Sequence, residues 1–147
     1  MQPDSSRIKV LFLCTGNSAR SQMAEGWARH LKGDSIEPYS AGIEAHGLNP
    51  LAVEAMNEVG VDISKQRSKL VTELLSIPFD YVVTVCSHAD ENCPIFPGKT
   101  KVIHFGFDDP AKAEGSHEEK MAVFRRVRDE IRAFIEGLPD ALEKNYR

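Results

Sequence analysis

Cysteine is scarce in this chain of 147 residues: there are three, an odd number, which argues against a framework of structural disulfides and fits a reducing compartment. The set is no better suited to a metal. Cys86 and Cys93 stand seven positions apart, and no Cys-x-x-Cys or His-x-x-x-His pair completes a tetrahedral set, so no metal is expected. No apolar run exceeds the length of a strand, and no signal or lipidation pattern opens the chain; neither a membrane nor an exported location is expected, and the cytoplasm is the default. Positive charge is also short, 18 Lys and Arg against 22 Asp and Glu for a net of −4. That balance argues against a nucleic-acid partner and provides no long-range field for an anionic substrate, so any anion must be captured locally. Repeats, low-complexity segments and linkers are missing. A single domain over 1–147 is expected, with the polar residues 1–6 frayed and about two-thirds of the unfolded surface buried.

What the chain does have is one dense stretch, Cys14-Thr-Gly-Asn-Ser-Ala-Arg-Ser21. It follows the β-branched and apolar run Ile8–Leu13, suited to a buried strand, and precedes Gln22–Leu31, which carries helical spacing. A strand-to-helix turn aims backbone amides and a helix N-terminus at one spot, ready for a tetrahedral oxyanion. Thr15, Gly16, Asn17, Ser18, Ala19 and Arg20 would form that cradle, with Cys14 at its floor. The positive potential that attracts an anion also favours thiolate over thiol, making Cys14 a nucleophile. Arg20 offers a planar fork for two oxygens and for charge developing in a transition state. The hydroxyls of Ser18 and Ser21 are candidates to stabilise the sulfur, and Gly16 and Asn17 are residue types that tolerate a positive φ.

Further along, Ser35–Gly42 reads as a second strand, with Pro38 marking an edge or a bulge. Asn49 caps a helix over Leu51–Val59 that has Pro50 at its first position and Gly60 at its end. Ser68 is expected to cap another helix from Lys69 to about Ser76, stopped by Pro78. Tyr81–Val85 and Thr100–Phe105 are the third and fourth strands. A long helix from about Ser116 to Gly137 carries the stripe Met121, Phe124, Val127, Ile131, Phe134 and Ile135 as core packing. Alternating strands and helices imply right-handed crossovers, hence an α/β sandwich of three layers around a four-stranded parallel sheet of order 2-1-3-4. Ligands bind such sheets beyond the carboxyl ends of the strands.

Two other groups reach that edge. Asp108 and Asp109 follow strand four, and Asp109 is the candidate general acid because Pro110 stiffens the segment after it. Cys86 ends strand three, and Cys93 lies beyond the polar run Ser87–Asn92. Were that run helical, the two sulfurs would share a face about 10 Å apart along the axis, whereas a disulfide needs Cα atoms about 5.5 Å apart. They can bridge only through a loop or by unwinding. The five histidines and Trp27 read as solvated or structural side chains.

These residues together resemble the thioredoxin-coupled arsenate reductases, which share the low-molecular-weight protein tyrosine phosphatase fold. The resemblance spans nearly the whole chain. It rests on Cys14–Ser18, Arg20–Trp27, Tyr39–Pro50, Cys86 with Cys93-Pro94, and Gly106–Ala111. It implies that Cys14 attacks arsenate held by the turn and Arg20 while Asp109 protonates the leaving oxygen. Cys86 then attacks the cysteine-arsenic adduct, arsenite leaves, and Cys93 attacks Cys86 to give a Cys86–Cys93 disulfide that thioredoxin, or a similar thiol carrier, reduces. Arsenate and a thiol carrier are thus the implied partners, the chain acting as a monomer and without a cofactor.

The sequence departs from these relatives in two places. Ala19 stands where many carry a further cysteine. Lys69 stands where an acidic residue, with Asn17, Glu25 and Ser40, holds potassium in some, so that site is expected to be absent and the ammonium to replace the ion's charge. A phosphotyrosine phosphatase would use the same cradle and acid, but would leave Cys86 and Cys93 idle and lacks tyrosines after Asp109-Pro110-Ala111. A non-catalytic oxyanion or redox sensor is a third reading. Weak phosphatase activity is expected beside arsenate reduction, because the two oxyanions share shape and charge.

Overall fold

The computed structural model describes residues 7–144, so the expectation that residues 1–6 fray lies outside the described residues. Its elements run β1 (Ile8–Cys14), α1 (Arg20–Lys32), β2 (Ile36–Gly42), α2 (Pro50–Asn57), β3 (Tyr81–Thr84), α3 (Ser87–Glu91), β4 (Lys101–His104), α4 (His117–Glu136) and α5 (Asp140–Lys144). The sheet is four-stranded and parallel in the order β2-β1-β3-β4. Pro38 therefore lies on an edge strand, where a missing donor is tolerated.

Side chains alternate across the sheet, and each face has its own cover. Phe12, Ser40, Val83 and Ile103 share one row, and the Ser40 hydroxyl donates to Glu25 of α1 at 2.5 Å, so this row faces the helices. There α1, α2 and α4 pack on one another, with every residue of the α4 stripe buried. Trp27 is buried between α1 and α4 and donates its indole N–H to the Arg128 carbonyl at 3.1 Å. Leu11, Tyr39, Val82 and Val102 form the opposite row. Tyr39 meets Phe79 edge-on, and Phe79 meets Phe96 the same way, so the connecting segments form the third layer. Among the described residues, no helix is long and apolar enough to cross a membrane.

Local signals explain most element ends. Asn49 accepts the Leu51 and Ala52 amides ahead of Pro50, and Ser116 and Glu119 form a reciprocal capping box at the start of α4. One expectation needs correction. The helix from Lys69 to Ser76 is only a single 3-10 turn, Val71–Leu74, preceded by Leu70. Ser68 is engaged elsewhere, accepting the Gly47 amide at 3.1 Å and donating to the Gly16 carbonyl at 3.1 Å. The Lys69 carbonyl takes the Gly42 amide, and Leu70 bridges to Gly42 as a short extension of the sheet. Pairing with the end of β2 outcompetes the local helical preference here. The short helices α3 and α5 carry no sequence signal of their own, being little over one turn each.

Candidate active site

Cys14, Arg20, Cys86 and Asp109 converge on one cleft of about 940 Å³. Its floor is the turn between β1 and α1. Four carbonyls of that turn, those of Cys14, Thr15, Gly16 and Ser18, accept the amides of Ile43, Glu44, His46 and Asn49 at 3.1, 2.8, 2.9 and 2.9 Å. In a trans peptide the N–H points opposite to the C=O. The amides that follow those carbonyls are therefore turned away from the second loop, leaving donors for an anion. At Gly16 a Cβ would sit 2.3 Å from Nδ1 of His46, so any larger residue there would displace that imidazole from the rim of the cleft.

Cys14 is buried, and its sulfur lies 2.8 Å from the Ser21 hydroxyl. Asn17, at φ 49°, is fully buried. Its side chain points behind the turn: Nδ2 donates to Ser21 at 2.8 Å, while Oδ1 accepts from Gln22 at 3.0 Å and from the Lys69 amide at 2.9 Å. Thr15, Gly16, Ser18, Ala19 and Arg20 line the cleft; the Asn17 side chain braces the turn from behind, while its amide is among the donors that follow the turn's carbonyls. Ser21 holds the sulfur, whereas the described hydrogen bonds include none from the Ser18 hydroxyl to it.

Arg20 reaches over the cleft from the first turn of α1. One nitrogen donates to the Phe107 carbonyl at 3.2 Å and another lies 3.5 Å from Oδ2 of Asp109. Asp109 is held at both oxygens, because Oδ1 accepts the Ala111 amide at 3.0 Å as the cap of a 3-10 turn begun by Pro110. Asp108 turns outward to Arg126 at 3.1 Å. Phe107 and Asp109 arrive here because Phe105 and Phe107 continue the ladder beyond β4, donating to the Thr84 and Val85 carbonyls.

Cys86 opens α3, with its sulfur accepting the Ala89 amide at 3.4 Å. It lines the same cleft as Cys14, and the Thr15 hydroxyl lies 3.2 Å from its sulfur. Cys93 is outside the cleft and half-buried; burial pushes its thiol up, and the Asp90 carboxylate adds to the effect. All three cysteines are free. His46 and His88 also line the cleft. Neither was singled out from the sequence, where each is one polar loop residue among many.

The residues matching a potassium site do not fit a monovalent cation. Glu25 takes Arg29 at 2.5 Å on one oxygen and Ser40 at 2.5 Å on the other, and both contacts to Asn17 Oδ1 come from donors. Lys69 brings its ammonium to the Arg67 carbonyl at 2.8 Å. Burial pulls that ammonium below its usual range, with the nearby Glu25 charge opposing.

Comparison with known proteins agrees in extent. The model of the low molecular weight phosphotyrosine protein phosphatase family matches residues 9–147. An arsenate reductase of Shouchella clausii is 60% identical over 138 residues, 94% of this chain and 99% of that protein. One from Bacillus subtilis is 59% identical over 122 residues, 83% of this chain and 88% of that protein. Among solved structures, an arsenate reductase in a phosphate-binding state superimposes with a TM-score of 0.72 at 32% identity, covering 89% of this chain and 95% of its own. A thioredoxin-dependent arsenate reductase of Corynebacterium glutamicum gives 0.69 at 30% identity, covering 96% of this chain and 64% of its own.

Proposed function

The chain belongs to the low molecular weight phosphotyrosine protein phosphatase family, and from that premise we propose that it reduces arsenate to arsenite through a relay of its three cysteines. The observation that carries this reading is the presence of Cys14 and Cys86 on the lining of one cleft, with the Thr15 hydroxyl 3.2 Å from the Cys86 sulfur. A hydrolase needs only the first. Arsenate sits on the turn amides and Arg20, and the Cys14 thiolate attacks arsenic as Asp109 delivers a proton to the departing oxygen. Cys86 then attacks the Cys14 sulfur. The sulfur–arsenic bond breaks with its electron pair going to arsenic, arsenite leaves, and a Cys14–Cys86 disulfide remains. Cys93 attacks Cys86, Cys14 departs as thiolate, and the Cys86–Cys93 disulfide is reduced by thioredoxin or a similar dithiol carrier.

The relay requires thiols that stay reduced between turnovers, which suits the cytoplasm. One chain supplies every group in it, so a monomer suffices. Phosphate monoesters meet the same cradle and acid, and slow hydrolysis of them accompanies the main reaction.

The test is arsenite formation with thioredoxin, thioredoxin reductase and NADPH, for the wild type and for Cys14→Ser, Cys86→Ser and Cys93→Ser. Catalytic turnover is lost in all three variants, with Cys93→Ser sparing at most a first round. Full turnover without Cys86 and Cys93 would overturn the reading.

A further inference from the structure

Cys93 must reach Cys86, and α3 stands between them. Continued as helix, the seven steps from Cys86 to Cys93 would span about 10 Å, against the roughly 5.5 Å between Cα atoms that a disulfide needs. The relay therefore includes an opening of α3, and its ease depends on what ties α3 down. One tie is the Ala89 amide on the Cys86 sulfur. It weakens as soon as that sulfur enters a disulfide, where it is bonded on both sides and turned toward its new partner.

The second tie lies at the other end of the helix. Thr84, fully buried on β3, brings its hydroxyl to 3.2 Å from Oδ1 of Asp90 on α3. The same oxygen is 2.9 Å from Nδ1 of His104 on β4 and 3.4 Å from the Ile103 carbonyl. A threonine hydroxyl has one proton to give. It serves Asp90 only when His104 carries its proton on Nδ1 and donates, so the imidazole decides where the hydroxyl points. Thr84 and His104 are neighbours across the β3–β4 ladder and cannot drift apart without breaking the sheet.

Resting on the relay proposed above, we propose that Thr84, oriented by His104, is a positioning residue that clamps Asp90 and holds α3 closed, thereby setting how readily Cys93 reaches Cys86. The clamp exists only in the dithiol form, since unwinding carries Asp90 away. It therefore opposes the second disulfide and works in favour of the later reduction by the carrier. Asp90 also loses its proximity to Cys93 in the same movement.

The test uses the whole chain with Cys14→Ser, equilibrated in glutathione buffers, where the Cys86 and Cys93 thiols plus one oxidised glutathione give the disulfide and two reduced glutathiones. Thr84→Val keeps the volume and removes the hydroxyl. Its equilibrium constant for the disulfide rises about tenfold, a potential more negative by about 30 mV. Thr84→Ser, which retains the hydroxyl, stays within about twofold of the parent. Binding of inorganic phosphate, measured with Cys14 present, is unchanged by Thr84→Val. If Thr84→Val does not fold, Asp90→Ala on the helix itself, which removes the acceptor, gives the same shift together with faster amide exchange over residues 87–92 in the dithiol form. An unshifted constant in the variant that folds, or a serine variant that behaves like valine, overturns the clamp. A parent that forms no Cys86–Cys93 disulfide at all overturns the relay on which the clamp rests.

Discussion

The Ser21 hydroxyl lies 2.8 Å from the Cys14 sulfur, and Asn17 holds that hydroxyl in place from behind. Asn17 Nδ2 gives its hydrogen to Ser21 Oγ at 2.8 Å. That bond occupies an oxygen lone pair and leaves the hydroxyl proton for the sulfur, which favours thiolate. A hydrogen bond to a charged group contributes about 1.5–3 kcal/mol. Ser21→Ala accordingly slows alkylation of Cys14 by iodoacetamide at pH 7 about tenfold or more, while the rate at pH 10 changes little. Equal slowing at both pH values would mean that Ser21 only shapes access to the sulfur.

The two neighbouring aspartates separate in the same way. Asp109 is fixed at one oxygen by Ala111 and faces Arg20 with the other, while Asp108 pairs with Arg126 at the surface. Asp109→Asn keeps the cap and removes the proton, so hydrolysis of p-nitrophenyl phosphate falls about 100-fold or more. Asp108→Asn stays close to wild type. Comparable losses in both variants would remove Asp109 from the role of acid.

How much of this was legible depends on whether a signal is local. The sheet order, Cys14, Arg20 and the α4 stripe all follow from short patterns in which each neighbour supports the next. Asp109 was legible through Pro110, a local stiffener, and the structure adds Arg20 from the far side of the turn. Ser18 and Ser21 are equivalent in the sequence, and only the path of the chain through Asn17 at positive φ separates them. The failure at Lys69–Ser76 is of the same kind, because Gly42 and Asn17, distant in sequence, claim the Lys69 carbonyl and amide. His46 and His88 gave no sign at all, being placed by loops whose paths depend on the assembled sheet.

Gly42 shows what such a long-range constraint costs when broken. A Cβ there would lie 2.2 Å from the Glu44 carbonyl, 2.7 Å from the Asn17 nitrogen and 2.8 Å from the Thr15 carbonyl, all backbone atoms of the two loops that form the cradle. Gly26→Ala on α1 meets instead the Ile63 side chain at 2.5 Å. Each substitution overpacks the interior and lowers stability by about 1–3 kcal/mol in denaturant titrations. Phosphate affinity separates them, falling at least tenfold in Gly42→Ala and holding in Gly26→Ala. Retained affinity in Gly42→Ala would mean that the cradle can shift without losing its anion.

Lys69 gives a prediction about salt. With Arg29 and Ser40 on Glu25 and an ammonium nearby, no cage of free oxygens is left for a cation. A native-state ion site filled at 100 times its dissociation constant would add about 2.7 kcal/mol, several degrees in Tm. In sodium and potassium chloride of equal strength, Tm and kcat/KM for arsenate are expected to coincide. A specific rise of either in potassium would restore an ion site that these contacts argue against.

Cys93 is the thiol whose ionisation the fold resists, first through burial and then through Asp90. The attacking species is the thiolate, so a raised value leaves a small reactive fraction at neutral pH that grows tenfold with each pH unit. The shift also acts on stability: a group whose folded value lies above its unfolded one contributes fully below the unfolded value, and that contribution fades as pH climbs through the folded value. High pH thus loosens the dithiol form while arming its nucleophile, and both effects push the same way. In single-turnover quenching, formation of the Cys86–Cys93 disulfide is expected to climb steadily from pH 6, with no plateau where an ordinary cysteine would level, near pH 8.5. A plateau near that point would place the opening of α3 before the ionisation, with Cys93 already clear of Asp90 and of its buried position when it loses its proton.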